Sequence, residues 1–374
     1  MSASSIPKAG FATPEGTRKF VARFGDRAAP GHFRERHGLI ISSIGIGTYL
    51  GEPDAATDAS YTKAVVAAVE GGINVVDTAI NYRLQRSERS IGTALEKLFA
   101  AGFAREEILI CTKAGFLTPD GDIPADANDY FYREYISKGI FAVEEIAAGC
   151  HCMAPRYLKD QIERSRRNLG VECIDVFYLH NPETQLGEIP RAEFNQRIAT
   201  AFEALEAEVT ASKIRAYGMA TWNAFRNEPR APDYLSLEQM VELARQAGGN
   251  EHHFQFVQLP FNLAMPEALM RPNQIVGAKT LSMVQAAREM RITLVASASL
   301  LQSHLVGKVS PVIHDTFGLD NDLECALQFV RSAPGIATAL VGMKRVEHVG
   351  ANLKLVEIPP ASQEQFRKMF ATRS

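Results

Sequence analysis

The chain lacks a surplus of either charge. Lys and Arg number 40 against 43 Asp and Glu, a net charge of -3, with no basic run that would follow a phosphate backbone, so a nucleic-acid partner is not expected. Long apolar runs are also missing. None approaches the roughly 18 residues of a membrane span, and the opening MSASSIPKAGFATPEG lacks the charged-then-apolar order of a secretory signal. The expected home is the cytoplasm, with no membrane partner. Cysteines are few and odd in number, 5 in 374 residues, which suits a reducing compartment better than a disulfide framework. Cys150-His151-Cys152 is too tightly spaced for a zinc knuckle and has no second Cys/His pair nearby, so no metal is expected.

What the chain has is hydrophobic content, 46%, enough for a large core. From about residue 39, short β-branched runs alternate with longer helical patterns, the mark of βαβ units. Eight strand candidates follow one another: LIISSIGIG, INVVDT, EILICTK, IDVFYLH, IRAYGMA, FQFVQL, ITLVAS and GIATALVG. Helical stretches such as ASYTKAVVAAVEGG and KTLSMVQAAREM lie between them. Eight strand-helix repeats predict an α/β fold, a (β/α)8 TIM barrel over residues 39–374. Residues 1–38 stand outside the repeat; the Arg-Phe-Gly-Asp of KFVARFGDRAAPGHFRER predicts a hairpin that caps the barrel bottom. A second departure, residues 116–157 after the third strand, is too long for a plain connection. Its NDYFYREY predicts order and a lid.

Reacting groups in such a barrel sit where strands end. The first strand ends in Gly47-Thr48-Tyr49, the second in Asp77 with Tyr82 in its loop, the third in Lys113, the fourth in His180, the fifth in Ala220-Thr221-Trp222-Asn223 and the sixth in Gln258. Taken singly, Asp77 reads as a helix cap, Tyr82 as packing and His180 as a core histidine. Together they bring a carboxylate, a phenol, an ammonium and an imidazole to one rim. Asp77 and Lys113, on neighbouring strands, pair and lessen each other's burial cost. The ammonium beside Tyr82 is expected to lower the phenol's pKa and make it a general acid.

These residues resemble the aldo-keto reductase family. GINVVDTAINY resembles its second-strand signature, ILICTK the strand with the catalytic Lys, and IDVFYLHNP the strand with the active-site His. The resemblance runs from about Ile41 to Leu353 and includes SIGIGTYLG, VQLPFNL and GIATALVGMKRVEHVGANL. It implies an NAD(P)H-dependent oxidoreductase acting on a small carbonyl or alcohol, with Asp77, Tyr82, Lys113 and His180 catalytic. The cofactor would lie across the barrel mouth without a GxGxxG loop, and no metal takes part.

Three places depart from the family pattern. The Ser-Asn pair that holds the carboxamide is Ala220 and Thr221 here, leaving Thr221 one hydrogen bond beside Gln258. The usual Tyr-Ser-Pro-Leu is Ser297-Ala298-Ser299-Leu300, so the stacking ring is missing and Trp222 or Tyr49 is the replacement. Past the last strand, Gly342, Lys344, Arg345, His348 and Asn352 are the implied adenosine-phosphate residues, with His348 where the family has Arg. Lys344 and Arg345 near a helix N-terminus favour NADP(H) over NAD(H). Two other readings compete: Lys113 as a Schiff-base former, and a cofactor-binding sensor or regulatory protein of the same fold with little turnover. No motif names the carbonyl, and oligomeric state is open.

Overall fold

Runs of aliphatic residues between capped helices close here into a ring of strands. The computed structural model describes residues 8–305 and 307–370; the first seven residues of the N-terminal extension lie outside them. The strands are β1 (Ile44–Gly47), β2 (Val75–Asp77), β3 (Leu109–Ala114), β4 (Ile174–His180), β5 (Ile214–Ala220), β6 (Phe254–Pro260), β7 (Thr293–Ser297) and β8 (Ile336–Gly342). They pair in chain order and β8 returns to β1 in parallel, which closes the expected (β/α)8 barrel. Every residue of β2, β3 and β4 is buried, as strands covered on both faces must be.

Eight helices follow the strands: α1 (Ala55–Glu70), α2 (Arg86–Ala100), α3 (Pro155–Leu169), α4 (Arg191–Thr210), α5 (Leu237–Gly248), α6 (Met283–Glu289), α7 (Asp322–Ser332) and α8 (Val346–Leu353). Their ends have local causes. Asp54 accepts the Thr57 N–H at the start of α1; Pro155 opens α3 and Gly170, left-handed, ends it. No helix among the described residues is long and apolar enough to cross a membrane.

Three local expectations are corrected. LIISSIGIG is two strands, because Ser43 turns a corner: its N–H donates to His32 O and its carbonyl accepts from Ala339 N. Leu39–Ser42 instead pairs antiparallel with Phe33–Arg36. That hairpin turns at His37 and Gly38, both at positive φ, and not at Arg-Phe-Gly-Asp. The earlier stretch is a helix, Pro14–Ala22, because Thr13 caps it and Pro14 opens it, and because Phe20 and Phe24, four apart, pack with ring centroids 5.0 Å apart. Arg34 reaches from the hairpin to the carbonyl of Ile336 at the base of β8. Third, KTLSMVQAAREM begins as a strand, Lys279–Ser282, paired with Pro272–Val276.

The long segment after β3 builds a small core of its own. Tyr135, Phe141 and Tyr157 are fully buried, with Tyr135 stacked on Phe141 at 5.3 Å. Its short hairpin, Ile146–Ala147 with His151–Cys152, is tied back to the barrel. Leu117 N donates to Cys150 O and Cys152 N donates to Gly115 O.

Candidate active site

Asp77 ends β2 and Lys113 lies one residue before the end of β3, so parallel pairing brings both to the same rim. Lys113 Nζ is 2.5 Å from Asp77 Oδ1 and 2.6 Å from Thr78 O. The other carboxylate oxygen, Oδ2, accepts from Gln258 Nε2 at 3.0 Å. A carboxylate only accepts, so this contact orients the Gln258 amide and leaves its Oε1 without a partner among the described residues. Burial works against the Lys113 charge, but Asp77 and the Tyr82 oxygen more than offset it, and the Lys113 pKa stays above its ordinary value.

Tyr82 stands over this pair, its ring centroid 5.2 Å from Lys113 Nζ. The tyrosine is followed by three non-glycine residues in the left-handed region, Arg83 at φ 50°, Leu84 at 57° and Gln85 at 70°. Such a run is costly. It is held by the Arg83 guanidinium, which donates to the carbonyls of Glu52 and Asp54 and pairs with Asp58. The turn thereby ties Tyr82 to the β1 loop and to α1.

The expected fall in the Tyr82 pKa is corrected. Burial pushes the phenol up, and Lys113, pulling it down, does not fully offset that. At rest the phenol is protonated.

His180 ends β4. Its imidazole meets the Tyr82 ring at 5.7 Å and the Phe116 ring at 5.2 Å, both edge-on. Burial, with Lys113 and His151 nearby, holds its pKa well below the ordinary histidine range, so the ring is neutral. Cys150-His151-Cys152 lies in the insertion's hairpin, where His151 Nε2 is 2.8 Å from His180 O and Nδ1 is 3.0 Å from Gln185 Nε2. Among the described residues no group of three or more His, Cys, Asp or Glu is placed to hold a metal ion.

A cavity of about 790 Å³ opens above these groups. Of the residues singled out in the sequence, Gly47, Thr48, Tyr49, Asp77, Tyr82, His180, Thr221, Gln258, Ser297, Leu300, Gly342, Lys344 and His348 line it. Lys113 lies beneath, fully buried. Arg345 and Asn352 are not in the wall: Arg345 is the residue before α8, and Asn352 is buried within that helix. Trp222 lines the cavity, and Tyr49 both lines it and meets Tyr82 edge-on at 4.9 Å. The sequence reading missed Asn81, Phe116 and Asn181. Asn81 and Asn181 each adjoin a singled-out residue, which was the available signal; Phe116 carried none.

The cavity's far wall is unfinished. Thr221 Oγ1 and Ser299 Oγ are buried and have no hydrogen-bond partner among the described residues. Ala298, Leu301 and Gln302 are left-handed there, at φ 53°, 44° and 51°. Buried hydroxyls left unanswered in a cavity wall fit a polar ligand that the chain itself does not provide.

Comparison with known proteins bears on what kind of barrel this is. The model of the aldo/keto reductase family matches residues 43–231, half of the chain. A putative voltage-gated potassium channel subunit beta of Schizosaccharomyces pombe is 23% identical over 353 residues, 90% of this chain and 91% of that protein. D-threo-aldose 1-dehydrogenase of Pseudomonas sp is 28% identical over 187 residues, where the chain spans only 51% of that relative's length. Among solved structures, an aldo/keto reductase from Klebsiella pneumoniae in complex with NADP and acetate aligns with a TM-score of 0.61 at 19% identity, covering 91% of this chain and 94% of that one. The glycerol dehydrogenase of Gluconobacter oxydans aligns with a TM-score of 0.62 at 17% identity, over 91% and 94%. The structural likenesses carry the barrel; with the family match over the segment that holds Asp77, Tyr82, Lys113 and His180, this chain belongs to the aldo/keto reductase family.

Proposed function

We propose that this protein is an NADP(H)-dependent oxidoreductase that interconverts an aldehyde or ketone with its alcohol, with Tyr82 as the general acid and base. One observation carries the reading: Lys113, fully buried and neutralised by Asp77, lies 5.2 Å beneath the ring of a phenol that faces a large cavity. A charge so placed has little structural use and favours a phenolate once the proton has left.

The wall offers fitting groups for a nicotinamide dinucleotide: Thr221 Oγ1 and Gln258 Oε1, both without a partner among the described residues, for an amide, and Lys344 and His348 for a phosphate, with Arg345 beside them outside the wall. Ser297, Leu300, Gly342 and Asn352 complete the proposed set. When bound, that group supplies the hydride.

The chain's own residues do the rest. In reduction, Tyr82 Oη gives its proton to the carbonyl oxygen, and Lys113 steadies the phenolate left behind. Asp77 and Thr78 O hold Lys113 in place, and His180 fixes the substrate oxygen by a hydrogen bond. We read residues 1–38 as a cover over the barrel bottom, 116–157 as a lid that brings Phe116 to the cavity and the cytoplasm as the site of action. The test is NADPH consumption on a panel of aldehydes and ketones. Turnover that Tyr82→Phe abolishes supports the reading; turnover unchanged in that variant overturns it. A regulatory protein with little turnover is a second reading, favoured by the name of the relative that spans nine-tenths of the chain. Stoichiometric NADPH binding without turnover on the whole panel would select it.

A further inference from the structure

Two ionisable side chains hold one residue of the cavity wall by its main chain. Asn181, left-handed at φ 47°, turns the chain out of β4 and donates its N–H to Ala220 O. The short turn that follows, Pro182–Gly187, sends the Glu183 carboxyl across to the loop after β5. There Oε1 accepts from Trp222 N at 2.6 Å, while Oε2 is buried without a partner among the described residues. Burial pushes this carboxyl up to about 7, and the N–H groups of Trp222, Glu183 and Asn223 work against that rise. Trp222 O in turn accepts from Arg226 Nε at 3.0 Å, and Arg226 is braced by Glu267 at 2.8 Å.

The indole has no such ties. Other rings of the wall are already engaged: Tyr49 meets Tyr82 edge-on, Phe116 meets His151 and His180, and Tyr61 lies under the Arg83 guanidinium. Trp222 lines the cavity, is 46% exposed, and meets no ring or cation among the described residues. The residue before it, Thr221, carries the unanswered Oγ1. A fixed main chain bearing a free aromatic face makes a platform, because the mount is ordered before binding and the face stays open to a flat ligand.

We propose that Glu183 is a positioning residue that holds Trp222 as the surface on which the nicotinamide ring rests, with the carboxamide toward Thr221 Oγ1 and Gln258. The inference rests on the NADP(H) reading above, and it selects Trp222 over Tyr49, whose ring is taken up by Tyr82. Glu183 itself does not line the cavity. It acts through the residue whose N–H it holds.

Trp222 is the only tryptophan of the chain, so its fluorescence reports this wall directly. In the full chain above pH 7, where Glu183 is ionised, bound NADPH is expected to quench it. Glu183→Leu removes the acceptor and should shift the emission of the free protein and weaken NADPH about tenfold, the size of one charge-assisted hydrogen bond. Glu183→Gln keeps an oxygen for the Trp222 N–H and should restore both. Trp222→Leu, followed by the fluorescence of NADPH itself, should weaken binding by a similar factor. Adding Glu183→Leu to it should then change little, because the carboxyl acts through the ring. Additive losses in the double variant would overturn the proposal. So would NADPH affinity unchanged in Trp222→Leu, which alters only an exposed side chain and decides the matter even if Glu183→Leu does not fold. An unmodified chain that binds no NADPH would sink the functional reading and this inference with it, whereas Trp222 emission unmoved by Glu183→Leu would sink this inference alone.

Discussion

The two sides of the cavity are built on opposite principles. At the ends of β2 and β3, and in the hairpin packed behind β4, a set of polar groups is answered from within the chain. Asp77 has Lys113 and Gln258, Lys113 has Asp77 and Thr78 O, and His151 has a partner on each nitrogen. At the ends of β5 and β7, Thr221 Oγ1 and Ser299 Oγ are buried and unanswered among the described residues. The first side is organised before anything binds. The second is completed by what binds. Proton-handling groups gain from being fixed in advance, whereas a hydroxyl that must accept or donate to a ligand has to be left without a partner.

If the answered side is a closed network, cutting it should give the largest effects. Lys113→Met leaves the Asp77 carboxylate buried without a counter-charge, and an unfolding free energy lower by about 3–5 kcal/mol is expected, together with loss of turnover. Denaturant melts check the first and NADPH consumption the second; unchanged stability would mean that the pair contributes no net stability.

Next in size, Tyr82→Phe should lower carbonyl reduction by about 10²-fold or more while NADPH still binds, since the phenol closes no bond that the fold needs. Fluorescence titration beside steady-state rates separates the two. The raised Tyr82 pKa adds a direction. Reduction uses the protonated phenol and should be flat across neutral pH, while alcohol oxidation uses the phenolate and should climb with pH above 7.

His151 tests the network in acid. Burial holds its pKa at about 4, against 6.5 in the unfolded chain, so the unfolded state takes up a proton first. The contribution to stability is whole above pH 6.5 and fades as the pH falls toward 4, by roughly 3 kcal/mol at most. His151→Gln should flatten that part of the stability profile, measured by urea midpoints between pH 7 and 4.

The smallest effect belongs to the unanswered side. Replacing Lys344 and Arg345 with Ala should weaken NADPH about tenfold, as loss of a charge-assisted contact predicts, with little change for NADH or for the melting temperature. Equal affinities for the two cofactors in the unmodified chain would remove the phosphate assignment and leave the proton-handling side standing.

The barrel and its rim were legible because both rest on local rules. Strand-helix alternation recurs eight times, and a polar residue closing an apolar strand marks the rim, as Asp77, Lys113 and His180 do. What was not legible depended on tertiary balance. The corner at Ser43 is made by contacts with His32 and Ala339, far away in sequence, so an unbroken apolar run read as one strand. The hairpin read at Arg-Phe-Gly-Asp gave way to a helix because Thr13 and Pro14 form a stronger start signal than the glycine forms a turn. The Tyr82 pKa is a contest between burial and Lys113, and its outcome requires the fold. Asn81 adjoins Tyr82 in the chain, but its contact is with a ring 99 positions later.

The left-handed run after Tyr82 works as a cocked latch. Each of its three non-glycine residues sits about 1–2 kcal/mol above relaxed backbone, and the load is shared between the Arg83 guanidinium, braced on Glu52, Asp54 and Asp58, and the Gln85 amide, which meets Pro119 O and Asn168. The phenol's position is therefore an address written in the main chain, and its keeper, Arg83, lies outside the set of groups that handle protons. Damage to that brace would release the turn and carry the phenol off its mark while every proton-handling side chain remained present.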